Sequence, residues 1–449
     1  MRLPVFDRRR AGVLLPLSAL AGPLGRGGRA FVDWLVSAGF SVWQMLPVGP
    51  PGPDGSPFWT HADSAGDPAL LDAAELPDPA APREAAFLEA SAAWLADYAL
   101  FEALRRSHAG APFWRWPERL RDREPGALSE ARAGLAVEIA RVEGEQHAFF
   151  MQWSRLHDYA HARGVRLLGD LPFYVAPSSV ATWTRRELFK LAPGGAPAVV
   201  SGVPPDYFTY LGQLWGNPVY DWDAARGDGF GWWRARVRTQ LARFDLLRLD
   251  HFRALVAYWA VPAGAADARG GAWYAAPGEE LLRRLREELG DLPLVAEDLG
   301  LITPDVVALR KAFGLPGMRV LQFAFDGHQD NPHLAYMHEH DNVAYTGTHD
   351  NDTAVGWYNR LDSGTRARVD LYLRAGPEAM PETLIRAALG SVARLAVVPA
   401  QDLLALGSEA RLNTPGTTAG NWSWKLPPGA LDAQLAQRYA RLNGCFGRA

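Results

Sequence analysis

The sequence predicts an α/β protein that folds as a (β/α)8 TIM barrel with long, largely helical insertions. Eight short, largely apolar runs recur along the 449 residues, and most are followed by a loop and then by a segment with helical periodicity. Such runs are typical of strands buried on both faces, and strands that alternate with helices are joined in parallel by crossovers. Eight such units favour a closed barrel over an open sheet.

The first predicted strand, residues 13–17, needs its own argument, because it follows three arginines and so imitates a secretory signal. Pro4 and Pro16 interrupt that pattern and no small-residue cleavage site follows, which favours a buried strand. The other predicted strands are residues 41–48, 165–171, 245–250, 292–297, 318–325, 343–348 and 395–399. Amphipathic segments predict helices at residues 29–38, 145–163, 231–243, 278–289, 304–313 and 381–394.

Two intervals are too long to be simple connections. Residues 73–144 predict helices at 86–104, 113–123 and 128–142, whereas residues 174–230 are rich in Pro, Gly and aromatic side chains. Long loops in a compact domain are usually functional, and in a barrel they stand on the face that carries the active site. We expect residues 1–449 to form one catalytic barrel domain, with a mostly helical subdomain at 73–144 and an active-site cover at 174–230.

The composition excludes several classes of partner. Net charge is −4 and the isoelectric point is about 6.3, so no overall positive field attracts nucleic acid or an anionic membrane. No stretch is long and apolar enough to span a bilayer, and the single cysteine, Cys445, excludes a disulfide framework. We therefore expect a cytoplasmic protein. The 17 Trp offer flat apolar faces of the kind on which sugar rings stack, although core filling is the commoner role.

Acidic residues follow the fourth, fifth and seventh predicted strands, at Asp250, Glu297 and Asp350. Because parallel strands end at the same mouth of a barrel, these carboxylates should ring the active-site end. Arg248 lies two residues before Asp250, so both face the same way, and its guanidinium would hold that carboxylate ionised. The alternatives from the motifs alone are a buried ion pair that braces the barrel and an Asp that caps the next helix.

Carboxylates confined in one site repel each other, so one commonly stays protonated and serves as an acid. An ionised carboxylate and a carboxylic acid roughly 5–5.5 Å apart are the groups needed for a retaining attack on a glycosidic bond, through a covalent glycosyl intermediate. The predicted chemistry is therefore glycosyl cleavage or transfer.

The chain resembles the 4-α-glucanotransferases, or amylomaltases, over nearly its whole length. The matching segments are GVLL at 12–15, WQMLP at 43–47, GDLP at 169–172, GVPPDYF at 202–208, GQLWGNP at 212–218, LRLDHFR at 247–253, LVAEDLG at 294–300, YTGTHDNDT at 345–353, QDLL at 401–404, GSEAR at 407–411, NTPGT at 413–417 and GNW at 420–422. The resemblance implies transfer of α-1,4-glucan segments between maltooligosaccharides, other α-1,4-glucans and glucose. It implies neither a metal nor an organic cofactor.

Residue roles also follow from this resemblance. It implies that Asp250 is the nucleophile, that Glu297 is the general acid/base, and that Asp350 binds sugar hydroxyls and stabilises the oxocarbenium-like state. The implied substrate-binding residues are Ser56, Phe58, Asp170, Gln213, Trp215, Arg248, Asp326 and His349.

The segment 56–68 departs from the family. Phe58 stands where the family has Tyr, which keeps a stacking face and loses a hydroxyl. A second departure follows the third predicted strand, where Ser178 and Ala181 stand at two positions that are acidic in the family. These changes leave the acceptor preference open. An α-glucan hydrolase would share every catalytic residue, whereas a non-catalytic glucan-binding protein should have lost a carboxylate. Four histidines between residues 327 and 342 could suggest a metal site, but their spacing is irregular, which favours a solvated, helix-forming surface.

Overall fold

The computed structural model describes residues 4–78, 82–205, 210–374, 376, 379–417 and 419–449. Eight parallel strands close into a barrel, which confirms the predicted fold class. Around the barrel they are β1 (Arg10–Leu14), β12 (Leu395–Pro399), β11 (Asn342–Tyr345), β10 (Gly317–Val320), β9 (Leu294–Ala296), β6 (Leu246–Leu249), β3 (Arg166–Leu171) and β2 (Val42–Gln44). Each overlaps one of the eight predicted strands.

The first strand begins three residues earlier than predicted, inside the arginine run. Arg10 is buried as β1 starts, and its guanidinium pairs with Asp7 at 2.9 Å. The strand pairs with β12 on one side and β2 on the other. The basic run therefore leads into the barrel wall, as the buried-strand interpretation requires.

Alternation along the strands decides which side chains face the barrel axis. Leu246 belongs to the apolar cluster inside the barrel, whereas Leu247 packs outside against the helices. Residues two apart share a face, so Arg248 points inward at the carboxyl end of β6. The same alternation places Asp170 and Glu297 on the axis side, two residues after inward-facing apolar side chains.

The helices pack around this wall, and the sequence accounts for their limits. For example, α10 (Gly278–Leu289) carries two glutamates in its first turn, buries Leu281, Leu282 and Leu285 and ends at Gly290, whose φ is 73°. The others are α1 (Arg26–Ser37), α2 (Ala85–Ser91), α3 (Leu95–Ser107), α4 (Glu118–Arg121), α5 (Pro125–Gly134), α6 (Ala136–Ala162), α7 (Val180–Thr184), α8 (Trp222–Gly227), α9 (Gly231–Leu241), α11 (Pro304–Ala312), α12 (Ala354–Arg360), α13 (Ser363–Leu373), α14 (Glu382–Gly390), α15 (Ala400–Leu403) and α16 (Ala433–Cys445).

Residues 73–144 contain α2 to α5 and the beginning of α6, so all three of the predicted helices are interrupted. The segment 113–123 holds a 3-10 helix, Phe113–Arg115, and then α4. The segment 86–104 breaks between α2 and α3, and the segment 128–142 breaks at Leu135. In the described parts of the chain, no helix combines the length and the apolar character that crossing a membrane requires.

An antiparallel sheet beside the barrel was not predicted. Its order is β5 (Gln213–Pro218), β4 (Val199–Val203), β7 (Ala257–Pro262) and β8 (Ala272–Ala275). Half of it comes from the interval 174–230 and half from the chain that follows β6. Residues 206–209 of the expected cover lie outside the described residues.

The expectation of a solvated, helix-forming surface at the four histidines is confirmed only in part: most of residues 327–342, including His328 and His340, are exposed, but the segment is not an α-helix. The segment holds only a short 3-10 helix, Ala335–Met337, within its described residues. His338 is buried, with Nδ1 2.7 Å from Ser391 Oγ, and His333 Nδ1 accepts the N–H of Val320 at 3.1 Å. Burial lowers the pKa of both imidazoles to about 4, so they serve as neutral hydrogen-bonding groups of the core.

Candidate active site

Two acidic residues emerge side by side from neighbouring barrel strands. Leu249 of β6 pairs with Ala296 of β9, so the next residues along each strand are Asp250 and Glu297. The backbone N–H of His251 donates to Glu297 Oε2 at 2.8 Å. The carboxyl group of Glu297 therefore lies against the residue that follows Asp250.

The Arg248 guanidinium lies between two carboxylates. Its Nη1 donates to both carboxylate oxygens of Asp170 at 2.8 Å, and its Nη2 is 2.8 Å from Asp250 Oδ1. Burial acts to lower the pKa of Arg248, but the surrounding carboxylates, Asp170 first, raise it above its usual range. The cation is therefore permanent, and it forms an ion pair with Asp250.

Asp170 lies beneath Arg248, and its side chain has no exposed surface. Asp170 is thus placed to orient the Arg248 guanidinium, and its effect on a bound sugar would be indirect, through Arg248. Its assignment as a direct substrate contact stays a prediction.

Glu297 is 9% exposed, and its environment favours the protonated form. Burial raises the pKa of Glu297 to about 8, and the negative charge of Asp250 acts in the same direction, against the opposing effect of Arg248. Its Oε1 accepts the N–H of Leu299 at 3.0 Å, which fixes the carboxyl group in place. Glu297 is therefore mainly protonated at neutral pH, whereas Asp250 beside it is ion-paired to Arg248.

The antiparallel sheet reaches the Asp250 side of the mouth. His251 has a left-handed backbone, with φ of 48°, and the Trp215 ring meets its imidazole edge-on at 4.7 Å between centroids. Trp215 Nε1 donates to Gln213 Oε1 at 3.0 Å. Trp215, a residue expected in the cover, thus lies against His251, the residue next to Asp250, and Gln213 contacts Trp215.

Asp350 lies on a loop after β11, two strands further round the barrel from β9. Its Oδ1 accepts Asn413 Nδ2 at 2.6 Å, and its backbone carbonyl accepts Arg411 Nη2 at 2.6 Å. Its side chain is 45% exposed. Asp350 is therefore held in place by a second loop, and not by a barrel strand.

Aromatic rings form a wall beside Asp350. Phe58 stacks on His349 with centroids 4.9 Å apart, and both rings lie 6.0 Å from Trp422. His349 Nε2 is 3.4 Å from Asp350 Oδ2, and burial lowers the pKa of His349, so the imidazole is neutral. Ser56 Oγ accepts the N–H of Phe58 at 3.3 Å, which shapes the loop that carries the stacking ring.

Asp326 does not join this group through the contacts of the described residues. It is exposed, and its hydrogen bonds are made with His328 and Asn331. Its role at the sugar stays a prediction. Sequence reasoning assigned no role to Asn413 or Trp422, although both lie in segments that carry the family resemblance.

The acidic residues that accompany Glu297 and Asp350 in their motifs have structural roles. Asp298 turns away from the mouth and pairs with Arg310 and Arg319, each at 3.2 Å. Asp352 is buried and accepts Ser408 Oγ at 2.8 Å. Among the described residues, the side chains that group with metal-ligand spacing are His157, His161 and Asp245, away from this mouth.

This geometry defines a class of enzyme. A carboxylate ion-paired to arginine and a neighbouring carboxyl whose pKa is raised, at the mouth of a (β/α)8 barrel, are the parts of a retaining enzyme that acts on glycosidic bonds.

Comparisons with known proteins narrow this class. The family model described as 4-alpha-glucanotransferase matches residues 76–432. The 4-alpha-glucanotransferase of Thermus thermophilus is 44% identical, with 98% of each chain covered, and that of Synechocystis sp. is 40% identical, with 99% of each covered. The amylomaltase of Streptococcus agalactiae, solved in complex with acarbose, superposes with a TM-score of 0.92 at 31% identity, over 98% of this chain and 100% of that one. The chain belongs to the 4-α-glucanotransferase family, glycoside hydrolase family 77, and is a retaining glycosyltransferase.

Proposed function

We propose that the chain moves a segment of an α-1,4-glucan to the 4-hydroxyl of a second glucan or of glucose, with Asp250 as nucleophile and Glu297 as general acid/base. Maltooligosaccharides and other α-1,4-glucans are the proposed donors and acceptors. The observation that carries the proposal is the contrast between these neighbouring carboxyls: Asp250 is ion-paired to Arg248 at 2.8 Å, whereas burial raises the pKa of Glu297 to about 8. The acarbose complex of the Streptococcus agalactiae amylomaltase supports the substrate class.

In the first step a carboxylate oxygen of Asp250 attacks the anomeric carbon of the donor. The bond from that carbon to the glycosidic oxygen breaks, and the Glu297 proton passes to the leaving oxygen. The products are a glucosyl ester on Asp250, a free 4-hydroxyl on the released chain and a Glu297 carboxylate. Positive charge develops on the sugar ring in the transition state, and the Asp350 carboxylate stabilises it.

In the second step Glu297 removes the proton from the acceptor 4-hydroxyl, and that oxygen displaces Asp250 from the anomeric carbon. Two inversions restore the α configuration, and both carboxyls return to their starting protonation states. The proposed sugar-binding groups around this centre are Ser56, Phe58, Asp170, Gln213, Trp215, Arg248, Asp326 and His349.

Transfer outruns hydrolysis when water is excluded and a second glucan binds well at the mouth. Two features favour this outcome: Trp215 from the antiparallel sheet packs against His251, next to Asp250, and Phe58 stacks on His349, next to Asp350. Aromatic rings are apolar surfaces of the kind on which sugar rings stack.

We also infer that residues 1–449 act as one catalytic barrel domain, with 73–144 a helical subdomain and 174–230 part of the active-site cover. Cytoplasmic location is inferred from the single cysteine, which fits a reducing compartment.

The product profile from maltotriose tests transfer against hydrolysis. Transfer predicts free glucose together with a ladder of maltooligosaccharides longer than the substrate, resolved by chromatography at early time points. Glucose and maltose without longer chains would instead identify a hydrolase.

A further inference from the structure

A group of three potential metal ligands lies far from the catalytic mouth. His157 and His161 are one turn apart near the end of α6, and Asp245 immediately precedes β6. Asp245 and Asp250 stand at opposite ends of β6, roughly 16 Å apart at about 3.3 Å per residue. The group therefore lies at the amino-terminal end of the barrel strands, opposite the catalytic mouth.

The geometry of the group is close to that of a metal centre. One ligand atom from each residue lies within 4.8 Å of the others, and the two imidazole centroids are 4.0 Å apart. His161 Nε2 is 2.9 Å from Asp245 Oδ2. Ligand atoms around a tetrahedral zinc ion, each about 2.0–2.1 Å from the metal, lie roughly 3.3 Å from one another. Small rotations of the two imidazoles would complete that arrangement.

We propose that His157, His161 and Asp245 bind a divalent transition-metal ion of the zinc class, which ties the end of α6 to the start of β6. Two imidazoles and one carboxylate are a donor set that zinc accepts, with water in the remaining position. The ion is structural, since it lies away from the reacting groups.

The surroundings orient these ligands and leave them reachable. Asp245 Oδ2 accepts the N–H of Leu167 at 2.8 Å, and Oδ1 is 3.2 Å from Arg166 Nη1. Such contacts fix a ligating carboxylate, although the Arg166 charge moderates affinity for a cation. The side chains of His157 and His161 are 26% and 30% exposed, which leaves a path for the ion.

The test is metal binding to the full chain without an affinity tag. Calorimetric titration with zinc chloride should show one site per chain, and cobalt(II) should give a visible spectrum of nitrogen and oxygen ligation. His157→Asn should weaken binding roughly tenfold or more. It leaves the contact between His161 and Asp245 intact, so the variant should fold. His328→Asn, which removes an exposed histidine elsewhere, is the matched control.

Zinc should also raise the thermal midpoint of the unaltered chain and of His328→Asn, but not that of His157→Asn, because binding to the folded state alone stabilises it. Maltotriose turnover should be equal in all three proteins. Equal zinc affinity in all three, or a cobalt spectrum that does not differ from that of the free ion, would overturn the proposal.

Discussion

The two sides of the active-site mouth are built differently. Asp250 and Glu297 follow hydrogen-bonded strands in register, and the backbone N–H of His251, the residue after Asp250, donates to Glu297 Oε2 at 2.8 Å. Asp350 stands on a loop, and a side chain and a guanidinium from another loop hold it, through Asn413 and Arg411. The barrel thus fixes the reacting pair, whereas loop contacts place the sugar-holding carboxylate. Substitutions should cost most on the strand side and least in the loops.

The largest loss is expected for Asp250→Asn, which removes the nucleophile and keeps its shape. Turnover of maltotriose should fall on the order of 10⁴-fold or more. The fold should persist, because Arg248 keeps its contacts with Asp170. Circular dichroism and initial rates check both points, with Asp223→Asn, a 96% exposed surface carboxylate, as control. Retention of most activity would remove Asp250 from its role.

Glu297→Gln is expected to lower turnover about 10²- to 10⁴-fold, the usual range for a general acid. The acid must be protonated, and burial raises the pKa of Glu297 to about 8. In the unaltered chain, deprotonation of Glu297 should therefore leave kcat/KM unaffected below about pH 8 and lower it tenfold per pH unit above that pH.

The variant should lose that basic limb, because glutamine does not titrate. A maltosyl fluoride donor, whose fluoride leaves without a proton, should recover much of the first step. If kcat/KM of Glu297→Gln still fell above pH 8, that fall would belong to another titrating group. Glu279→Gln, on a 74% exposed side chain, controls for loss of a carboxylate.

Loop-held geometry predicts a smaller effect for Asn413→Ala. A hydrogen bond to a charged group contributes about 1.5–3 kcal/mol, so kcat/KM for maltotriose should fall about 10- to 100-fold. Asn359→Ala, an exposed position, should leave it unchanged. A loss as large as that of Asp250→Asn would mean that Asp350 is fixed as rigidly as the reacting pair.

The smallest effect is expected for Phe58→Tyr, which adds a hydroxyl to a ring that already stacks on His349. One added neutral hydrogen bond is worth about 1 kcal/mol, so KM for glucose as acceptor should fall about fivefold with kcat nearly unchanged. A large change in kcat would place this ring in the chemical step.

The barrel could be predicted because its strands are buried on both faces and alternate with amphipathic helices. The antiparallel sheet could not. β8 is exposed at all four positions, and β5 contains Gly216 and ends at Pro218, so neither shows an alternating pattern. The break at Leu135 was also missed, since helical periodicity continues across it.

The carboxylates at the strand ends could be predicted because side chains alternate along a strand, so the positions that point into the barrel are fixed once the strands are known. The contact between Asn413 and Asp350 spans 63 residues between irregular loops, and no periodicity predicts such a pair. The pKa of Glu297 is raised mainly by burial, and the sequence motif does not show how deeply a side chain is buried. The motif indicates only that other carboxylates lie nearby.

The most direct test of the account is to identify the residue that becomes glycosylated. In Glu297→Gln, α-maltotriosyl fluoride should load the nucleophile, and the missing base should let the ester accumulate. Acid quenching, peptic digestion and mass spectrometry should then find one maltotriosyl group on the peptide that contains Asp250. A sugar on Asp350, or fluoride release without any labelled peptide, would contradict the account.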